Sequence, residues 1–307
     1  MNLQEEENKC IFVSSRGILK SCHIRSLQPI SSIRQLTYYD FSNMRDGDTL
    51  YICTSAINHF INIIDKINKR FILVSGDCDE ECSSSLFVKY QLKTDKEFQQ
   101  FINNPNIIHW FSQNCTVLNH PKISQIPIGM DYHTLFNNKN HDWGECCSPL
   151  EQEKQLINIK ENSLHFKDRI KICYANFHFN VNTKYGYDRK NAISSISKDL
   201  VYYEFTPTTR IDTWKHQSKM VFVISPHGNG LDCHRTWEAL ILGCIVIVKS
   251  SPLDSLYEGL PVLIVDNWNN ITEELLDITM EKFSKMDFQY EKLQLKYWME
   301  KIYNAKN

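Results

Sequence analysis

The chain has 307 residues, of which 42% are hydrophobic and 23% are charged, so it can form one large or two medium-sized packed domains. This balance excludes a mainly disordered chain. A net charge of −2 argues against a nucleic-acid-binding protein, because such proteins usually carry a strongly basic domain. No run approaches the ~18 apolar residues that a membrane-spanning helix needs.

The 11 cysteines are odd in number, are scattered along the chain and form no C-x-x-C pair. A secreted disulfide scaffold is normally short and has an even number of cysteines, so this pattern predicts reduced thiols. Residues 1–7 are polar and acidic, whereas a signal peptide has a basic start and an apolar stretch. We therefore expect a cytoplasmic protein.

The first half of the chain alternates strand and helix signals. Strands apolar on both sides, with helices between them, indicate a parallel sheet that is covered on both faces. A polar turn is expected at residues 14–17, directly after the first apolar run. The predicted strands are residues 11–13, 49–53, 71–74, 107–111 and 123–128, and the predicted helices are 57–67 and 94–104.

Residues 137–163 break this rhythm, because they are polar and aperiodic, and they predict a linker. The alternation then restarts, so two successive doubly wound α/β units are the natural architecture. A long amphipathic helical tail is predicted over residues 272–303. The predicted strands of this half are 169–174, 201–205, 220–224, 244–248 and 261–265, and the predicted helices are 188–200, 210–219 and 232–242.

The stretch richest in chemistry is residues 223–240, where a buried strand leads into a polar glycine loop and then into a helix. Such a helix start exposes unpaired N–H groups and the positive end of the helix dipole, which favours phosphate. Gly228 and Gly230 let the backbone approach a ligand closely. Arg235, in the first helical turn, can clamp a diphosphate. Glu238 lies on the same helix face and suits a ribose diol.

Two other interpretations of this loop stay open. His227, Asp232 and His234 could be metal ligands of a hydrolase, although neither their spacing nor a downstream ligand pair supports a zinc site. The loop could also be a purely structural turn.

Three segments, residues 219–228, 234–240 and 243–248, resemble the C-terminal signature of exostosin-like glycosyltransferases. That signature is approximately a strand, S/C-P-x-G, a spacer, R-x-x-E/D-A-L and G-C-I-P-V-I. The chain is also similar to short viral and microbial glycosyltransferase-like proteins. It departs from the signature at Val246, where proline is usual, and at His227, where arginine is common.

The resemblance implies a GT-B fold, in which two Rossmann-like, doubly wound domains face a cleft. We assign residues 1–150 to an acceptor-side domain and residues 151–285 to a nucleotide-sugar-binding domain. The last helix of a GT-B fold crosses back, so residues 286–307 are expected to contact the N-terminal domain.

The implied activity is transfer of a hexosyl or pentosyl group from a nucleotide-diphosphate sugar to a hydroxyl of a glycan or glycoconjugate. The resemblance suggests inversion and requires no metal or other cofactor; the co-substrate would be a UDP- or GDP-sugar. Arg235 would meet the diphosphate and Glu238 the ribose. The expected donor-binding residues are Asn176, His178, Arg189, Ser225, His227, Gly228, Asn229, Gly230, Asp232, Arg235 and Glu238.

An inverting transfer also needs a general base, which N-terminal loops at the carboxyl ends of strands would supply. Asp77, Asp131 and His133 are the candidates. The two aspartates rank above His133, because each follows an apolar strand and a small residue. Each candidate could instead be a structural loop cap. The competing class is a non-catalytic protein that binds a nucleotide sugar or glycan without a working base.

Overall fold

The computed structural model describes residues 6–83, 95–179 and 181–306. Residues 1–5, 84–94, 180 and 307 lie outside this description; they include most of the acidic N-terminal stretch and Thr94, where a helix is predicted to begin. The first half contains α1 (Ser15–Ser21), β1 (Asp48–Cys53), α2 (Ile57–Ile61), β2 (Phe71–Gly76), α3 (Asp95–Ile102), β3 (Ile107–Ser112), β4 (Ile123–Gln125), α4 (His133–Asn137), β5 (Asn140–His141) and β6 (Gly144–Glu145).

The second half continues the alternation of helices and strands. Neighbouring strands of the two larger sheets are parallel throughout, which confirms the predicted α/β class. Its elements are α5 (Pro149–Glu161), β7 (Ile170–Ala175), α6 (Gly186–Ser195), β8 (Val201–Tyr203), α7 (Arg210–Gln217), β9 (Met220–Ile224), α8 (His234–Ile241), β10 (Ile245–Lys249), β11 (Val262–Val265), α9 (Glu273–Phe283) and α10 (Leu295–Asn304).

The C-terminal sheet has the strand order β11-β10-β9-β7-β8. The chain lays β8 on one side of β7 and then returns to lay β9, β10 and β11 on the other side. Ligands of doubly wound sheets bind outside the carboxyl ends of the strands at such a reversal. In this chain the reversal lies between β7 and β9, so the sheet itself points to the loops after Ala175 and Ile224.

The N-terminal sheet has the order β1-β2-β3-β4, so these four strands follow one another without a reversal. The doubly wound order predicted for this half is therefore not present among them. The physical reason lies in the predicted first strand, residues 11–13. That segment forms only isolated bridges, with Phe12 opposite Gln294 and with the next residue, Ser14, opposite Gly129 and Met130.

Both faces of the N-terminal sheet are covered, as the apolar strands predict. Successive side chains of a strand point to opposite faces. Leu50 of β1 therefore belongs to a cluster that includes Phe60 of α2. Its neighbour Tyr51 belongs to the opposite cluster, which includes Ile18 of α1 and Ile302 of α10.

One hydrophobic cluster contains residues from both halves of the chain. Phe111 and Ile126 contribute to it from the N-terminal half. Trp237 and Leu240 of α8 and Val246 of β10 contribute from the C-terminal half. Because these side chains are all nearly inaccessible to water, the two sheets share part of their core.

The turn predicted at residues 14–17 is instead the start of α1. The Ser14 hydroxyl accepts a hydrogen bond from the backbone N–H of Gly17 at 2.9 Å, as an N-cap residue does. This helical start carries Arg16 inward, where its guanidinium meets the carboxylate of Asp77. The polar residues of this segment predict a turn, but in the structure they form a helix cap and a buried ion pair.

The linker predicted at residues 137–163 is also wrong, since it contains the β5–β6 hairpin and helix α5. Helix α5 has Ser148 as its N-cap and Pro149 at its first position, both favourable there. Two of its polar side chains, Gln152 and Glu153, are buried and make hydrogen bonds. Glu153 accepts from the backbone N–H groups of Ile11 and Phe12, both at 2.9 Å.

The single long helix predicted over residues 272–303 is interrupted between α9 and α10. There Phe288 packs on Phe283 with ring centroids 5.3 Å apart, and the N–H of Gln289 donates to the carbonyl of Gly259 at 2.8 Å. The chain therefore turns, and α10 contacts α1. The Tyr303 hydroxyl donates to a backbone carbonyl of α1 at 2.6 Å.

Two further observations concern the environment of the protein. All 11 cysteines are free thiols. In the part of the chain that the structure describes, no helix is long and apolar enough to cross a membrane. The cytoplasmic location stays a prediction.

Candidate active site

A cleft of about 740 Å³ opens at the carboxyl ends of β7 and β9, where the strand order of the C-terminal sheet reverses. The loops after β7, β8 and β9 form most of its wall. All predicted donor-binding residues line it except Ser225 and His227. The N-terminal half contributes Asp79, Ile128, Asp142 and Trp143.

Ser225 and His227 do not line the cleft, but their hydrogen bonds hold the glycine loop in place. The Ser225 hydroxyl lies 2.7 Å from the Thr236 hydroxyl at the start of α8. The backbone N–H of His227 donates to the Asp188 carboxylate at 3.0 Å, and the Trp268 indole donates to the same carboxylate at 2.8 Å. These contacts fix the loop on the sheet and on α6.

The two glycines of the loop leave room for protein side chains. A Cβ atom on Gly228 would lie 2.9 Å from Nη2 of Arg189. A Cβ atom on Gly230 would lie 2.8 Å from Nδ2 of Asn114, which comes from the N-terminal half. The close approach expected at these glycines is therefore made by Arg189 and Asn114.

Positive charge is concentrated beside this loop. Arg189 donates to the backbone carbonyls of His227 and His178 at 3.2 and 2.8 Å, so its guanidinium is fixed. Burial and the nearby Arg235 lower the pKa of Arg189. The guanidinium of Arg235 donates to the carbonyl of Pro226, and its Nε atom is buried without a hydrogen-bond partner. A buried guanidinium next to a half-buried one favours an anion.

Glu238 lines the cleft but already has two partners. Its Oε1 atom accepts from Arg210 at 2.5 Å and its Oε2 atom accepts from the Trp214 indole at 3.0 Å. A carboxylate has about four acceptor positions, so these bonds leave capacity for a hydroxyl. They also hold the carboxylate in one orientation.

Sequence reasoning missed Arg210, which connects the halves. Its guanidinium also donates to the side chain of Gln152 at 2.8 Å and to the backbone carbonyl of Asp131. Arg210 is the first residue of α7, after the N-cap Thr209. A cation is disfavoured at that position by the helix dipole, so its presence there was a usable signal.

Asp232 lies in the wall of the cleft as a buried structural acceptor. Its carboxylate accepts from the backbone N–H of Ile128 at 2.8 Å, the Trp237 indole at 2.8 Å and the Tyr257 hydroxyl at 3.2 Å. Its own N–H donates to the side chain of Asn114 at 2.9 Å. Asp232 therefore fastens the N-terminal half to the C-terminal half.

The three candidate bases do not line the cleft, but the structure brings them together. Arg16 and Asp77 form an ion pair with a 3.0 Å contact. The Ser31 hydroxyl lies 3.0 Å from the Asp77 carboxylate and 3.3 Å from Nε2 of His133. Nδ1 of His133 lies 3.0 Å from the Asp131 carboxylate. One network thus runs from Arg16 to Asp131.

His133 and Asp131 adjoin the cleft through His234, which lines it. The rings of His133 and His234 have centroids 6.4 Å apart, and Nδ1 of His234 lies 2.7 Å from the Gly129 carbonyl. Burial raises the pKa of Asp131, but His133, His234 and Arg210 outweigh it and hold that pKa below its usual range. Burial lowers the pKa of His133. A neutral imidazole beside a carboxylate is thus favoured at pH 7.

An aromatic group, which sequence reasoning did not identify as a unit, forms another part of the wall. The rings of Phe179 and Phe205 have centroids 4.6 Å apart, and Phe177 packs on Phe179 at 5.1 Å. Phe205 is 65% exposed, so it presents a free apolar face. Such a face suits a planar or apolar ligand group.

The metal-ligand interpretation of His227, Asp232 and His234 gains no support. Nδ1 of His227 lies 3.0 Å from the Leu231 carbonyl, whereas His234 and Asp232 have the separate partners given above. Across residues 6–83, 95–179 and 181–306, no group of three or more His, Cys, Asp or Glu side chains is placed to hold a metal ion.

No protein-family model matches the chain, and no curated protein matches it. Among solved structures, the chain is similar to OtsA in its apo form, with a TM-score of 0.39 and 8% sequence identity. The alignment covers 86% of this chain and 70% of the OtsA chain. A TM-score this low defines neither a family nor an activity.

Proposed function

We propose that the protein is a GT-B-type glycosyltransferase that moves a sugar from a nucleotide-diphosphate sugar to a hydroxyl of a glycan or glycoconjugate. One observation carries this proposal. Arg189 and Arg235 lie together beside a glycine loop, in a cleft at the point where the strand order of the C-terminal sheet reverses. That combination suits a diphosphate.

The donor is proposed to extend along the C-terminal wall of the cleft. Its diphosphate would meet Arg235 and Arg189, and its ribose would hydrogen-bond to Glu238. The exposed face of Phe205 is available to the base or the sugar. No resident cofactor is needed in this scheme, because the arginines supply the positive charge that neutralises the leaving diphosphate.

Chemistry is proposed to begin at His133. Asp131 accepts a hydrogen bond from Nδ1–H of the imidazole, so Nε2 carries no proton and can accept one. The acceptor hydroxyl attacks the anomeric carbon, its proton passes to Nε2, and the bond from that carbon to the diphosphate oxygen breaks. A single base on the face opposite the leaving group gives inversion. Asp77 is a weaker candidate for the general base than its rank from the sequence suggests, because Arg16 already neutralises its carboxylate.

A panel of nucleoside diphosphates and nucleotide sugars, scored by thermal stabilisation, tests the donor site. A ligand at 100 times its dissociation constant stabilises by about 2.7 kcal/mol. The Arg235→Ala variant is expected to lose about half of that effect or more, and Arg70→Ala, at an exposed arginine of the other half, is expected to retain it. No stabilisation by any member would remove the proposal. Tight binding with no transfer to any hydroxyl acceptor would favour a non-catalytic binder.

A further inference from the structure

A second cavity, of about 300 Å³, lies between the end of the N-terminal sheet and the C-terminal helix α10. No residue lines both this cavity and the cleft. Its volume is at the small end of the range for small-molecule sites, about 300–1,000 Å³. The proposed glycosyl transfer does not use it.

The wall of this cavity carries two ammonium groups, those of Lys292 and Lys301, and no carboxylate. Its other polar residues carry hydroxyl or amide groups, which can donate hydrogen bonds. These neutral polar residues are Asn119, Ser124, Gln125, Ser255 and Tyr297.

Lys292 is only 6% exposed, and its ammonium donates to the backbone carbonyl of Glu258 at 2.6 Å. An ammonium has three N–H donors, so two remain. In the described part of the chain, neither Lys292 nor Lys301 forms an ion pair within 4.0 Å of a carboxylate. Burial and the neighbouring Lys301 lower the pKa of Lys292, and the opposing effects of Glu258 and Glu291 do not offset them.

Trp298 connects the two lysines. Its indole donates to the backbone carbonyl of Lys292 at 2.7 Å, and the ammonium of Lys301 lies 5.3 Å from its ring centroid. The facing wall is also fixed, since Nε2 of Gln125 donates to the Pro252 carbonyl at 2.7 Å. The buried ammonium of Lys292, which has no carboxylate partner, therefore lies near a second, exposed ammonium, and this arrangement favours an anion.

We propose that this cavity binds a small molecule that carries a phosphate group, with the phosphate between Lys292 and Lys301. A phosphate monoester carries about −1.5 to −2 charges at pH 7, which matches two ammonium groups. The rest of the molecule would lie against Tyr297 and the neutral polar wall. The cavity walls come from both halves, so the ligand would link them.

Thermal unfolding of the full chain, titrated with inorganic phosphate and separately with glycerol 3-phosphate at constant ionic strength, tests this site. Saturable stabilisation is expected, with glycerol 3-phosphate the tighter probe. Lys301→Gln is expected to weaken the binding of both probes about tenfold, which is the usual effect of losing one charge-assisted hydrogen bond. Lys296→Gln, at an exposed lysine of the same helix, is the matched control and should bind normally.

Arg235→Ala removes phosphate binding in the cleft and should leave this stabilisation intact. The proposal is overturned if neither probe gives saturable stabilisation, or if Lys301→Gln binds like the wild type. It is also overturned if Arg235→Ala abolishes the effect, because the phosphate would then lie in the cleft. Lys292→Gln gives a second measurement, and loss of the buried ammonium is expected to weaken binding at least as much as Lys301→Gln.

Discussion

The two parallel sheets differ in strand order, and the difference decides what each contributes to the cleft. In the C-terminal sheet the order reverses between β7 and β9, so the loops after these strands diverge and leave a space. In the N-terminal sheet β1 to β4 follow in sequence, and the residues after β2 and β3 bond to each other, since the N–H of Asp77 donates to the Gln113 side chain at 2.9 Å. Ser31 then links Asp77 to His133. The C-terminal sheet thus supplies the proposed binding surface, and the N-terminal sheet supplies a polar network.

If this division of roles is right, the largest effect on turnover comes from the N-terminal network. His133→Ala is expected to lower kcat by about 10²–10⁴-fold, the usual contribution of a general base, while nucleotide binding is retained. Steady-state kinetics and donor-binding titrations on the same variant check this. His59→Ala, at an exposed histidine of the same half, is the control; equal turnover in the two variants would contradict the role of His133.

The junction between the two regions should carry the next largest effect. Asp232→Ala leaves the donors from Ile128, Trp237 and Tyr257 buried without an acceptor, at about 1–3 kcal/mol for each unsatisfied group. We expect a loss of at least about 3 kcal/mol in the free energy of unfolding, measured by chemical denaturation. Asp287→Ala, at an exposed carboxylate, should change stability by less than about 0.5 kcal/mol. A small loss in Asp232→Ala would show that the halves do not depend on this contact.

The binding role of the C-terminal sheet is tested by affinity alone. Arg235→Ala is expected to raise the Kd of the nucleotide diphosphate about tenfold or more, because one charge-assisted contact is lost. Calorimetric titration measures it. The free energy of unfolding without ligand should change little; if stability falls and affinity does not, Arg235 is structural.

A smaller effect is expected where the two regions touch at Gly230. Gly230→Ala places a methyl group against the side chain of Asn114, a strain of about 1–3 kcal/mol. Asn114→Gly, which suits the positive φ of 48° at that position, should relieve it. Denaturation of both single variants and the double variant gives the coupling energy. Additive losses would mean that the two residues do not compete for this space.

The smallest effect is a shift in pH dependence. Burial holds the pKa of His133 below 6.5, so kcat/KM should fall only as the pH drops below that value and the imidazole becomes protonated. Asp131 opposes that shift, because its charge raises the pKa of His133. In Asp131→Asn the acid limb of the pH–rate profile should therefore move to lower pH. If the acid limb does not move, it reports the titration of a group other than His133.

How much the sequence could predict depended on whether a feature was local. The glycine loop is predictable because its strand, glycines and helix are contiguous, and Gly228, Gly230 and Arg235 do line the cleft. Arg210 and Trp143 come from distant segments, so only the folded chain brings them to the same wall. Helix α5 is not predicted, because its composition is as polar as that of a solvated linker. Only the folded chain shows that hydrogen bonds bury Glu153.

The order of candidate bases shows the same limit. Asp77 and Asp131 were ranked first from their neighbours along the chain, but their partners are set by the fold. Arg16 lies 61 positions from Asp77 and neutralises it. His133 was ranked last, although Asp131 orients its ring beside a residue of the cleft. In the proposed mechanism, the roles of these residues depend on contacts that no spacing rule contains.

The contacts of the Asp232 carboxylate also bear on whether the two walls of the cleft can move apart. Relative motion of two domains is expected unless their interface is large and apolar, and here the shared hydrophobic cluster meets that condition. A hinge movement would separate Ile128 from Asp232 and expose Trp237 to water. These contacts therefore oppose a hinge movement, so a ligand of the proposed site would have to fit the width of the cleft that they set.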